Sequence, residues 1–475
     1  MAMASAHSLW SGHFFDVVAA ADQFRALTRA WNIRVFDIQY GGNVVTAHLH
    51  LGDVEAAASV LQNLTAERGR QLDEADLDHL AGLISLLRGQ LRLARERLDQ
   101  AILKSTICGS EMLAAMIRLV LAQVLELLAD TRGALQQLQA VADFAAASRQ
   151  RLLEQPALTL RAWVLGRHGD AAAADLLRVA LAMGREQGYR LIFPFVPDAV
   201  MQEIGLMALR AGIEVDYMCE LLRVRRVPPP SPGADVDAHW PWPIRVSLLG
   251  PFTLLLDDAP IRLAAKAPKK PLELLKLLAA FGVDSLPLAT IEQHLWPDLD
   301  GAAARNACNV ALHRLRKLLG DEQALQLSEG RLSLNPQRVW TDVASFVRQT
   351  GSDAADPERL LKTYRAHLLP DLESPWVLAA RERLRSRFLR ALAPPLEGLE
   401  RDGAFEAAVT LHRRVIEVDP AAEAFHLGLV RCLLALGRRA EALDACDRCS
   451  EQLYRERGLR PSAPLLALRR RIETA

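Results

Sequence analysis

Residues 300–320, DGAAARNACNVALHRLRKLLG, concentrate the side chains best suited to chemistry with a charged polymer. No acid follows Asp300 before Asp321. Gly320 stands where a glycine commonly ends a helix. At about 100° per residue, Ala304, Cys308, Leu312, Leu315 and Leu319 share one side. Asn306, Asn309, Val310, His313 and Lys317 share the other, bordered by Arg314 and Arg316, with Arg305 nearby. Amides, an imidazole and cations are the groups that hydrogen-bond base edges and hold phosphate oxygens. A basic helix face taken alone is more commonly a solvated one, so the neighbouring elements decide the reading.

Residues 244–263 alternate in hydropathy and turn at Gly250-Pro251 and Asp257-Asp258, which predicts a small antiparallel sheet. Helices are predicted over 269–281, with Leu272, Leu275, Leu278 and Ala279 inward, and over 288–296, ended by Pro297. Leu295 and Trp296 are expected in the core. Residues 325–336 read as a hairpin around Glu329-Gly330. Sheet, helix, helix, basic helix and hairpin is the order of a winged helix-turn-helix, whose third helix enters a major groove while the hairpin reaches the adjacent backbone or minor groove. On that plan Asn306, Asn309 and His313 face bases, and Val310 meets a thymine methyl. Arg314 and Lys317 read bases or grip phosphate, whereas Arg305 and Arg316 grip phosphate. Arg331 sits by the minor groove. Lys266, Lys269 and Lys270 either anchor phosphates or form a solvated cluster.

The flanking segments read as helical repeats, so the fold class is mainly α with a small central β component. In residues 1–222 a small residue or glycine at a turn is followed five positions later by alanine: Gly52 with Ala57, Gly89 with Ala94, Ala129 with Ala134, Gly169 with Ala174. The turns recur at intervals of about 40 residues, a repeat-protein period. Such a solenoid presents a concave surface for a ligand or partner. His48 and His50 lack a metal-like set of neighbours and read as surface or packing residues. Residues 223–243, with Pro228–Pro230 and Pro232-Gly233, form an extended linker between domains. Arg223, Arg225 and Arg226 have two readings, contact with DNA or the solvated end of the last repeat helix, and the second is the expectation. In residues 342–475, Gly403 with Ala408 and Gly437 with Ala442 repeat at the tetratricopeptide interval, with Asp419-Pro420 marking the turn between. Cys446 and Cys449 form a CxxC inside a helical pattern, a weak signal that reads as packing.

Composition bounds the function. The chain has 475 residues, enough for several domains, and 57 basic against 57 acidic side chains. Nucleic-acid contact therefore has to come from a local patch. The six dispersed cysteines suit a reducing, cytoplasmic setting. The N-terminus makes a poor signal peptide, and no apolar run reaches membrane-spanning length. No phosphate-binding loop, nucleophile elbow or zinc-ligand spacing is present, so neither an enzyme nor a cofactor is expected.

Three resemblances extend this reading. Residues 180–209, ALAMGREQGYRLIFPFVPDAVMQEIGLMAL, are similar to the last tetratricopeptide-like repeats of maltose-regulator-like transcription factors. The phrases IEQHLWPDLDGAAARNACNVALHRLRKLLG and LSLNPQRVWTDVASF resemble the OmpR/PhoB-type winged helix of response regulators, also carried by Streptomyces antibiotic regulatory proteins (the SARP family). YRAHLLPDLESPWVLAARERLRSRFLRAL and the repeats after it resemble the bacterial transcriptional activator domain (BTAD) that follows the winged helix in that family. One departure is His367-Leu368, where the family often has Gly-Asp or Gly-Glu before Leu-Pro. The resemblances imply a transcription regulator, of the activator type, with four segments: repeats at 1–222, linker at 223–243, winged helix at 244–341, activator domain at 342–475. They imply double-stranded DNA and RNA polymerase as partners, a homodimer or higher oligomer on DNA, and an unknown ligand or protein at the N-terminal repeats. Two alternatives stand beside this reading: a repeat scaffold whose winged helix binds protein, and a degenerate signalling ATPase lacking its nucleotide site.

Overall fold

The computed structural model describes residues 2–30, 37–65, 71–230, 240–261, 269–282, 284–351 and 356–474. It is mainly helical, with short strands confined to the middle of the chain. It divides into two compact units, Met1–Pro241 and Trp242–Ala475. No helix among the described residues is long and apolar enough to cross a membrane.

The first unit is a succession of antiparallel helices, from Gln71–Leu87 through Leu91–Ile107, Glu111–Leu127, Thr131–Ser148 and Arg151–Arg167 to Ala172–Glu186. Each packs on the next. The joints use a left-handed residue: Gly89, Gly109, Ala129, Arg149 and Gly169 all have positive φ. The 40-residue period is thus a helix pair, and Gly109 and Arg149 are the half-period joints the sequence pattern did not show. Alanine behind the turn lets neighbouring helices approach, and Ala57, Ala94 and Ala134 are fully buried. In the last repeat the register differs: Ala173 is the buried residue and Ala174 is half-buried. The helix there starts at Ala172, three residues after Gly169 instead of two.

His50 is buried between the rings of Phe14, at 4.5 Å, and Phe195, at 4.8 Å. Burial holds its pKa well below the usual histidine range, with the Arg225 cation adding to the effect. Arg225 corrects the expectation of a solvated helix end. Its guanidinium is buried, donates to the Val196 carbonyl, and pairs with Asp198 at 2.7 Å. Its cost of desolvation is offset by those partners and by the Phe195 ring 5.1 Å away. Of the expected linker at 223–243, residues 231–239 lie outside the described residues.

The second unit opens with strands β1 (Ile244–Ser247), β2 (Thr253–Leu256) and β3 (Ala259–Pro260). Then come the helix Lys269–Ala280, β4 (Leu286–Pro287) and the helices Leu288–Leu295 and Gly301–Leu319. Strands β5 (Leu325–Ser328), β6 (Arg331–Leu334) and β7 (Val339–Thr341) follow. The expected antiparallel meander is present, with β1 paired to β2 and β2 to β3. The sheet is not purely antiparallel, however: β7 pairs parallel to the free edge of β1, giving the order β3-β2-β1-β7. The hairpin β5–β6 turns at Glu329 and Gly330, both at positive φ, as a tight two-residue turn requires. It gains a third strand, β4, in the order β4-β6-β5.

Behind β7 lie helices running from Asp342–Gln349 through the long Pro375–Arg401 to Ala463–Thr474. One apolar core runs continuously from Ile244 and Val246 through Leu315 and Leu332 to Phe388, Leu429 and Ile472. Asp342, at the start of its helix, is buried and accepts backbone hydrogen bonds from Leu248, Leu249 and Val343, tying the end of β1 to that helix. Ala408 and Ala442 are fully buried behind turns at Gly403 and Gly437. Cys446 and Cys449 are free, buried thiols of the helix Arg439–Arg457.

Candidate nucleic-acid interface

Asp300 is the N-cap of the helix Gly301–Leu319, its carboxylate accepting from the Ala303 N–H at 2.8 Å. Gly320, at φ 65°, ends it with an N–H to the Arg316 carbonyl. One face is core: Ala304, Cys308, Ala311, Leu312, Leu315 and Leu319 are at most 6% exposed. Burial first, and the nearby Glu292 carboxylate second, together push the Cys308 thiol up to about 11. On the opposite face Arg305, Asn306, Asn309, Val310, His313, Arg314 and Lys317 are all exposed. The side chains of Asn306, Asn309, His313, Arg314 and Lys317 make no hydrogen bond or ion pair among the described residues. From Asn306 to Lys317 this stripe covers about 16 Å of helix.

The other expected contacts are committed within the protein to different degrees. Arg316 is half-buried, and its Nε is shielded from solvent without a partner among the described residues. It lies next to the buried Leu315, at the rim of the packed face. Arg305 Nε stands 3.7 Å from Oε1 of Glu292, whose carboxylate is mostly buried on the helix Leu288–Leu295. Arg305 therefore compensates a buried charge as well as facing solvent. Arg331 donates from Nε to the Ser285 hydroxyl at 2.8 Å and from Nη2 to the Ser285 carbonyl. That fork fastens β6 to the approach of β4. Lys270 donates to the Leu295 carbonyl at 2.8 Å, pairs with Glu273 at 2.9 Å, and lies over the Trp296 ring. It caps the orphan carbonyl end of the helix Leu288–Leu295. Trp296, expected in the core, is half-buried at its edge beneath that ammonium. Lys269 is exposed with no partner among the described residues. Lys266 lies outside them.

The hairpin tip is exposed from Gln326 to Arg331, including Leu327 at 48%. Its turn residue Glu329 is acidic, which opposes close approach to a phosphate. Sequence reasoning did not find Glu292 and Ser285, the residues that orient Arg305 and Arg331. Neither carries a local signal, because both act on a partner from another element.

Residues 348–473 match the family described as bacterial transcriptional activator domain. This is the segment in which the repeat pattern and the sequence resemblance coincide, and it supports a transcription-regulator reading of the chain. No curated protein matches the chain. Among solved structures the chain is similar to Mycobacterium tuberculosis EmbR in complex with a low affinity phosphopeptide, at 21% identity and a TM-score of 0.38. That likeness covers 49% of this chain and 65% of the EmbR chain, so this chain spans less than two thirds of that protein. It is also similar to a Rap protein complexed with competence and sporulation factor, at 12% identity over 88% of this chain and 97% of that one, with a TM-score of 0.33. The yeast Tom70 is similar at 11% identity over 99% and 86%, with a TM-score of 0.24.

Proposed function

We propose that the chain is a cytoplasmic, sequence-specific DNA-binding transcription regulator, and specifically an activator. In this reading residues 244–341 form a winged helix-turn-helix of the OmpR/PhoB type, and Gly301–Leu319 is its recognition helix. The observation that supports it most is the stripe Asn306, Asn309, Val310, His313, Arg314 and Lys317: exposed, and with every polar member unpartnered among the described residues. The opposite face of that helix is sealed in the core. A B-DNA major groove admits one α-helix, and unpaired amides and cations are the groups that read it. Arg305 and Lys269 then contribute phosphate contacts. Arg331, Lys270 and Arg316 position the elements more than they touch the duplex.

The match of residues 348–473 to the activator-domain family supports contact with RNA polymerase and self-association of this segment, as a homodimer or higher oligomer on double-stranded DNA. Residues 1–222 are the sensor for a ligand or protein, joined through the linker at 223–243. The test is selection of genomic fragments by the purified full-length chain, followed by sequencing. The expected result is one enriched motif whose binding weakens with salt as counterions are released. Failure to retain any duplex at low salt overturns the proposal. A second reading, in which this region binds protein, is favoured by the apolar exposure of Val310 at 42% and Leu327 at 48%. It requires binding that is insensitive to salt and independent of DNA.

A further inference from the structure

Three side chains from three successive helices of the second unit converge on one point: Glu400 near the end of Pro375–Arg401, His412 on Phe405–Val418, and Cys432 on Glu423–Ala435. One ligand atom from each lies within 4.8 Å of the other two. His412 Nε2 is 3.1 Å from Glu400 Oε1. His412 and Cys432 are buried, and Glu400 opens toward the surface. We infer that Glu400, His412 and Cys432 form a binding site for a late divalent transition metal, of the zinc type, with a fourth position left for solvent.

The donor set is the first argument. A thiolate, an imidazole and a carboxylate form a borderline-soft combination that zinc accepts in tetrahedral geometry, with three protein ligands and an open position. Charge is the second. A dication bound by one thiolate, one carboxylate and a neutral imidazole makes a neutral core, so occupation leaves no unpaired charge in the interior. The proton balance is simple: the Cys432 thiol releases one proton to solvent, and the His412 proton moves to Nδ1 as Nε2 takes the metal. Packing is the third argument. Gly428 lies one turn before Cys432, and a Cβ there would fall 2.2 Å from His412 Cε1 and 3.2 Å from Glu400 Oε1. The missing side chain is what allows the imidazole and carboxylate to reach the face that carries the sulfur. Fourth, Arg431 Nη2 donates to Glu400 Oε2 at 3.2 Å and to Oε1 at 3.5 Å, which orients the carboxylate with Oε1 also 3.1 Å from His412 Nε2.

Three features limit the affinity. Burial, with the Glu400 carboxylate beside it, pushes the Cys432 thiol up to about 11, so metal binding has to drive its deprotonation. The Arg431 cation opposes a dication, although its side chain is more than half exposed and screened by water. His412 Nδ1 is buried with no hydrogen-bond partner, so the outer support that usually fixes a metal-bound imidazole is lacking. Micromolar rather than tighter binding is therefore expected. An ion here would join the end of the long helix to the first helix pair of the C-terminal repeats.

The test uses full-length protein, chelator-treated, reduced and freed of chelator. It is titrated with Co²⁺, read by the thiolate-to-cobalt absorption band, and with Zn²⁺ in competition with a chromogenic chelator. One equivalent with a thiolate band is expected. Cys432→Ser should abolish the band, and Glu400→Gln, which alters a partly exposed carboxylate, should weaken Zn²⁺ binding at least about tenfold. A Cys446→Ser, Cys449→Ser double variant should bind as the parent does. The inference is overturned if the parent shows no thiolate band and no Zn²⁺ binding at micromolar metal. It is equally overturned if Cys432→Ser keeps the band, or if Glu400→Gln leaves the affinity unchanged.

Discussion

Replacing Arg314 by alanine separates binding from folding. Arg314 is exposed and has no ion pair or hydrogen bond among the described residues. Its helix is anchored elsewhere, by Leu312 and Leu315 in the core and by the Asp300 cap. Folding stability should therefore change by no more than about 0.5 kcal/mol, as for a surface position without a special role. Binding to the selected DNA motif should fall by about 1–3 kcal/mol, roughly 5- to 150-fold, as expected when a base-contacting arginine is lost. The assay is fluorescence anisotropy of full-length protein with the motif and with a scrambled duplex, at several salt concentrations, beside a urea unfolding curve. If Arg314 reads a base, affinity for the motif falls more than affinity for the scrambled duplex. If it grips phosphate, both fall alike and the salt slope drops by about one. Unchanged affinity on both duplexes, with folding intact, would refute the assignment of this face to DNA. Arg305→Ala is the contrasting case: it also strips Glu292 of its nearest cation, so folding should lose stability along with binding.

Asp300→Ala removes the hydrogen bond to Ala303 N–H and should cost about 1 kcal/mol of stability in urea unfolding, with DNA affinity falling but selectivity retained. Gly89, at φ 71° with open space where a Cβ would stand, should lose about 1 kcal/mol on change to alanine, while Ala129→Gly, at φ 63°, should gain up to about 1 kcal/mol. Opposite signs in chemical denaturation of the full-length chain check that pair. Burial lowers the pKa of His79 to about 4, so the folded chain binds fewer protons than the unfolded chain between that value and 6.5. Stability from this group is then present above pH 6.5 and lost as pH falls toward 4, by up to about 3 kcal/mol, and His79→Gln should flatten that part of the profile.

Much of the candidate site is legible from helical period alone. The hundred-degree step of a helix is a local property, so Cys308 and Leu315 inward and Asn309 and His313 outward follow from spacing, and their burial agrees. The turns at Gly320, Glu329-Gly330 and Gly437 are local too, because positive φ restricts residue type. The joints at Ala129 and Arg149 show the limit of that reasoning: a residue with a Cβ can hold the left-handed conformation when the packed helices on both sides demand it.

Pairing across the chain is decided only by tertiary structure. Nothing near Arg331 in sequence announces Ser285, forty-six positions away, and nothing near Lys270 announces the Leu295 carbonyl. A cation is equally compatible with phosphate, carboxylate or a helix end, so its type cannot choose among them. The same holds for β7, which the antiparallel pattern of β1 to β3 does not foretell, and for Arg225, whose burial depends on Asp198 and the Phe195 ring. Glu400, His412 and Cys432 are ordinary members of three amphipathic patterns until helix packing sets them on one point. Sequence by itself determined which helix faces are apolar and the helix ends marked by a glycine turn or a cap, such as Asp300 and Gly320, because those depend on neighbours three or four residues away. The fold alone determined which charged groups are spent inside the protein and which, on the stripe from Asn306 to Lys317, remain available to a partner.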